Sequence, residues 1–129
     1  MNIIAFEDQP TLFAGGQERS LFEVLSRLAQ RGNNVKLFYR EPGELLPEYH
    51  KQAIGTTRVV SRQLSISGFP SILRDLAQAK KEIKQFHADF LYVNQYSDTP
   101  FPVLLSKVSG VPVLVHLRLP CPHYLSRQY

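Results

Sequence analysis

Two hydrophobic periods alternate along the chain. Residues 2–6, NIIAF, form a short apolar run that closes on Glu7, Asp8 and Pro10, the pattern of a buried strand passing into a loop. Over 17–31 the period lengthens, with Leu21, Val24, Leu25 and Leu28 at helical spacing. Glu18 and Glu23 come early and Arg27 and Arg31 late, as the helix dipole favours, and Gly32 stops the helix. Residues 35–39 read as a second strand and 57–60 as a third. Between them ELLPEYHKQA reads as a short helix with Leu45, Leu46, Tyr49 and Ala53 inward. The helical period returns over 70–86, with Ile72, Leu73, Leu76, Ala79, Ile83 and Phe86 on one side and Lys80, Lys81 and Lys84 on the other. FLYVN is a fourth strand, and Thr99-Pro100 opens a helix with a hydroxyl cap and a proline at the first helical position. Gly110 ends that helix. VPVLVHL is a fifth strand, apolar on both faces except at His116, and HYLSRQY begins another helix.

Strand and helix thus alternate throughout, and the strand runs are almost continuously apolar. That is how a parallel sheet covered on both faces reads, since a sheet with one wet face would alternate polarity. The expected fold is one α/β domain over 1–129: a doubly wound, Rossmann-like, mostly parallel sheet of about five strands with helices on both faces and strand order 3-2-1-4-5. Ligands of such sheets bind outside the carboxyl ends of the strands where the order reverses, here between the first and fourth strands. Residues 7–16, 94–98 and 116–122 therefore border the expected crevice.

Composition narrows the function classes. With 129 residues and 43% hydrophobic content the chain can bury a core and is not a disordered segment. A net charge of +4 suits an anionic ligand or an anionic membrane surface, and equally an ordinary soluble domain. Cys121 is the single cysteine, which excludes an intrachain disulfide and a cysteine-based metal site and suits a reducing cytosol. The N-terminus lacks the basic and apolar regions of a signal peptide, and no apolar run approaches the roughly 18 residues of a membrane span. The expected location is cytoplasmic, with a peripheral contact at the inner face of an anionic membrane as a further expectation from Lys80, Lys81 and Lys84, a set that also reads as a solvated helix face. His50, His87 and His123 show no ligand spacing, so no metal is expected; aromatic and basic residues are not interleaved, so nucleic acid is not an expected partner.

The adjacent glycines Gly15 and Gly16, between the first strand and the first helix, carry two readings. Glycine serves a tight turn sterically, and it also lets a ligand approach the unpaired N–H groups of a helix start. AGGQERS spells neither G-x-G-x-x-G nor a Walker loop. Glu7-Asp8 resembles the acidic pair of response-regulator receivers, but no aspartate lies between Asp8 and Asp75 to accept a phosphoryl group. His116 reads either as a buried, hydrogen-bonded histidine or, from its place at the edge opposite the glycine loop, as a site residue.

GGQERSLFEVLSRLAQRGNNVKLF resembles the opening of GT-B glycosyltransferases of the family 4 type, and DFLYVNQYSDTPFPVLLSKVSGVPVLVHLRLPCP is similar to the fourth strand, helix and fifth strand of the same domain. Together, over 15–38 and 89–122, they span a little under half of the chain. The resemblance implies the N-terminal, acceptor-side domain of an enzyme that moves a sugar from a nucleotide-sugar donor to a small-molecule or glycan acceptor. It implies His116 as the catalytic strand-end histidine near the reacting sugar. It also implies Gly15, Gly16, Glu18, Asn94 and Arg118 as substrate-binding positions, Arg118 standing near where family members often carry an aspartate. No cofactor belongs to this domain; the nucleotide sugar is a co-substrate of the full enzyme. The nucleotide-binding second domain does not follow, so the missing C-terminal domain is itself an expected partner and the fragment alone is expected to have little or no activity. The alternative is a non-catalytic α/β module that binds an anionic small molecule or a partner protein.

Overall fold

The computed structural model describes residues 1–13, 16–59, 69–94 and 100–116, with the backbone alone for 69–71. Its elements are β1 (Asn2–Glu7), α1 (Gly16–Gln30), β2 (Asn34–Tyr39), α2 (Leu46–Lys51), β3 (Gly55–Arg58), α3 (Phe69–Phe86), β4 (Phe90–Val93), α4 (Pro100–Ser109) and β5 (Val113–Val115). The strands form one sheet in the order β3-β2-β1-β4-β5, and each neighbouring pair is parallel. This is the doubly wound α/β fold and the strand order that the sequence pattern implies.

The two-residue period of β1 divides the core. Ile4 and Phe6 point to one face, where they meet Phe38, Leu91 and Val93 and are covered by Ala79 and Ile83 of α3 and by Phe101 and Leu105 of α4. Ala5 points to the other face with Val35 and Leu37, beneath Leu21 and Leu25 of α1 and beside Leu45, Tyr49 and Ile54. Both faces of β1 are therefore dry, which is why its sequence shows no alternation. Each fully buried Leu or Ile here contributes about 1.5–3 kcal/mol of transfer free energy. Gly32 and Gly110 end α1 and α4 with φ of +90° and +75°, the left-handed closure that glycine adopts without steric cost.

Some details of the pattern are corrected. The third strand begins at Gly55, two residues before the expected start, because pairing with Lys36 and Leu37 rather than apolar content fixes it. Its sequence GTTR is polar since it lies at the sheet edge. Ala53 is exposed rather than inward: with φ +59° it turns the chain out of α2, so that Ile54 takes the buried place. Leu46 is half-buried. Val24 and Leu73 lie on the flanks of their helices and are exposed, the buried stripes being narrower than the apolar ones. Leu114 is 55% exposed, so β5 is covered on only one of the two faces that its apolar sequence suggests. Thr99, Val60 and the segment HYLSRQY lie outside the described residues.

Candidate functional site

At the carboxyl edge the chain leaves β1 through a loop that its neighbour holds tightly. The Asp8 carbonyl accepts the Arg40 and Glu41 amides at 3.1 and 2.9 Å, and the Asp8 carboxylate pairs with the Arg40 guanidinium. The Gln9 amide donates to the Pro42 carbonyl at 3.1 Å, and the Leu45 amide donates to the Pro10 carbonyl at 3.0 Å. The Thr11 hydroxyl lies 2.7 Å from both oxygens of Glu44, which also accepts the Leu12 amide. Those bonds, the Thr11 hydroxyl foremost and then the Leu12 amide, hold the Glu44 carboxyl below its ordinary value. Leu12 and Phe13 ride at the tip of this latched loop, Phe13 92% exposed.

Gly16 is the first residue of α1. Its φ is not among the positive values of the described residues, and no described atom outside its chain neighbours and own helix lies within 4 Å of where a Cβ would stand. Among the described residues, neither steric reason for glycine applies at this position. Gly15 lies outside the described residues, and so does Arg118.

Glu18, in the first turn of α1, faces inward rather than toward the edge and is 6% exposed. Glu7, at the end of β1, is 4% exposed and sits in the same interior region as Tyr49 of α2. The Tyr49 phenol is pushed far above its ordinary value: burial acts first, then the nearby Glu7 carboxylate and the charge of Glu18. The pattern placed Tyr49 inward and Glu7 at a strand end, but not their meeting. That meeting depends on α2 lying against the face of β1 that carries Ala5 and Glu7.

Asn94 follows β4, is buried, and donates its side-chain amide to the Gln17 carbonyl at 3.2 Å. It thereby braces the start of α1 against the end of β4. His116 follows β5, its backbone amide bonded to the Val93 carbonyl at 2.8 Å. Its ring is exposed, and Nδ1 lies 2.7 Å from the Tyr92 hydroxyl. Register explains the contact: Tyr92 opposes Leu114, so His116 is its diagonal neighbour on the same face. Tyr92 escaped the sequence reading because that register is not legible before the strands are paired.

Gly16 at the start of α1, Asn94 after β4 and His116 after β5 thus lie at one edge, β1 and β5 being two ladder steps, about 10 Å, apart. Two open clefts lined by described residues lie elsewhere. One of about 400 Å³ runs by Asn33, Asn34 and Ala53, and one of about 480 Å³ by Lys80, Lys84, His87 and Val108. Both are at the opposite, amino end of the sheet. No group of three or more His, Cys, Asp or Glu side chains is arranged to hold a metal ion among the described residues. No described helix is long and apolar enough to cross a membrane.

Residues 14–128 match the family model described as Glycosyltransferase Family 4. Among solved structures, a glycosyltransferase from Rickettsia africae superposes with a TM-score of 0.70 at 21% identity, over 98% of this chain and 33% of that one. HepE from Anabaena, solved with UDP and glucose, gives 0.68 at 16% identity over 99% and 33%. MurG from Acinetobacter baumannii gives 0.67 at 19% identity over 99% and 38%. At such identities the likeness is one of fold, and the chain spans about a third of each of these structures. No curated protein sequence matches it. The match of the family model over nearly the whole length decides the assignment: the chain belongs to Glycosyltransferase Family 4.

Proposed function

We propose that this chain is the acceptor-side domain of a glycosyltransferase, forming one wall of a cleft in which a sugar passes from a nucleotide-sugar donor to a small-molecule or glycan acceptor. The observation that carries the reading is Gly16. A glycine whose φ is not left-handed, and whose Cβ would meet no described atom, answers to no steric demand of the described fold. It sits where α1 begins, with the first-turn N–H groups and the positive end of the dipole facing the carboxyl edge, a surface suited to a diphosphate or a polar acceptor. His116 is the reading's catalytic residue at that edge. Gly15, Gly16, Glu18, Asn94 and Arg118 are its substrate-binding set. On this reading Asn94 acts from behind, through its bond to the Gln17 carbonyl at the start of α1.

Stabilising a departing diphosphate while an acceptor attacks takes positioned charges on both sides of the reacting centre. This domain offers one side, so the chain alone turns over little or nothing, and the nucleotide-binding domain is its required partner. The test is a transferase assay with a set of nucleotide sugars, run on the 129 residues and on the complete reading frame that contains them. Activity in the complete protein but not in the chain is expected; a complete protein that turns over no nucleotide sugar contradicts the reading.

A peripheral membrane contact has its own observation: Lys80, Lys84 and His87 rim the cleft of about 480 Å³ whose floor is Ile83, Val108 and Val111. Anionic vesicles should sediment more of the protein than neutral ones, less so as salt rises; equal sedimentation removes this contact.

A further inference from the structure

We infer that Tyr92 is the positioning residue of His116. Its hydroxyl donates to Nδ1, fixes the Nε2–H tautomer, and leaves the ring presenting a hydrogen-bond donor, not a base, at the carboxyl edge of the sheet. The inference rests on the reading of that edge as the sugar-transfer site. Both ends of His116 are pinned. The backbone is held by its amide bond to Val93 at 2.8 Å, and the ring by the 2.7 Å contact with Tyr92. Tyr92 is a firm anchor, because its half-buried ring packs against the core cluster under α1 while its hydroxyl reaches across to β5. The rings stand edge to face, centroids 6.3 Å apart and planes at 70°, which fixes the His116 plane as well as its position.

The tautomer follows from donor strength. A neutral imidazole offers one N–H and one bare nitrogen. A phenol O–H is the stronger donor and the bare nitrogen the stronger acceptor, so the hydroxyl proton lies toward Nδ1. The ring proton is then on Nε2, the way a partner on one nitrogen sets the state of the other. A donor at Nε2 recognises an oxygen with lone pairs: a sugar hydroxyl or a phosphate oxygen. It cannot take a proton from an attacking hydroxyl while it keeps its own.

Long-range proton–nitrogen spectra of the histidine-labelled 129-residue chain test this, with the His116 signals identified by their loss in His116→Gln. Expected are a pyrrole-type Nε2 and a pyridine-type Nδ1. Tyr92→Phe, which keeps the ring, should leave the backbone spectrum near wild type and give His116 a mixed tautomer. In the complete reading frame Tyr92→Phe should lower kcat about tenfold with little change in KM, and add nothing in a His116→Gln background. A protonated Nδ1 in the wild type, or a tautomer indifferent to Tyr92→Phe, overturns the inference while leaving the transferase reading intact. Normal turnover by His116→Gln overturns it from the other side, by removing the site that Tyr92 would serve.

Discussion

Gly43 and Gly16 lie on neighbouring loops of the same sheet edge and contrast in every local respect. A Cβ on Gly43 would stand 2.2 Å from the Pro10 carbonyl oxygen, because the β2–α2 loop is pressed against the loop that leaves β1. A Cβ on Gly16 would meet no described atom within 4 Å. One glycine is demanded by the interior of the molecule; for the other no described residue makes such a demand, and on the reading above it is demanded by what binds. The contrast separates the latched half of the edge, which shapes the surface, from the open half, which uses it.

Gly43→Ala should break the latched half with the largest effect. The added carbon forces the Pro10 backbone away and with it the bonds at Leu45 and Thr11, at a cost of about 3 kcal/mol in denaturant unfolding, the upper range for overpacking. Tyr49→Phe comes next and shows itself in alkali. The folded phenol titrates far above its unfolded value near 10, so the native state keeps a proton that the unfolded state loses. Stability from this group is whole below pH 10 and falls by about 1.4 kcal/mol for each pH unit above it. The Phe variant should show a shallower decline over that range.

At the acid end the sign reverses. Glu44 titrates below its ordinary 4.5 in the folded chain, so its contribution is present above 4.5 and lost as pH falls through the lowered value. The Leu12 amide resonance should report that transition, and Glu44→Gln should abolish it while the signals of α3 stay in place. Gly16→Ala is the smallest perturbation of the fold: stability unchanged or raised, by up to about 1 kcal/mol, because the alanine restricts the unfolded chain without strain.

Legibility in the sequence follows the same division. Strand order, helix positions and the dry faces of β1 were readable because Ile3, Ile4 and Ala5 form an unbroken apolar run while Leu21 and Leu25 recur at the helical period. The start of β3 was not, because an edge strand such as GTTR takes its register from a neighbour and has little burial to encode it. Gly16, Asn94 and His116 were site candidates from their place in the alternation, and Glu18 from the family resemblance. Their orientations were hidden: that Glu18 turns inward beside Tyr49 and that Asn94 reaches the Gln17 carbonyl depend on contacts between elements far apart in the chain. Tyr92 was silent for the same reason, being an ordinary strand aromatic until β5 is set beside it.

The most direct test of the central claim compares fold and turnover in one variant. Gly16→Val is introduced into the 129-residue chain and into the complete reading frame, and unfolding free energy is measured in the first and kcat/KM in the second. A chain that stays folded, with its unfolding free energy unchanged within ~1 kcal/mol because valine is no worse a helix former than glycine, together with turnover reduced at least about a hundredfold, is the predicted result. Normal turnover in the folded variant would contradict the claim, since no ligand would then be using the space that the glycine leaves.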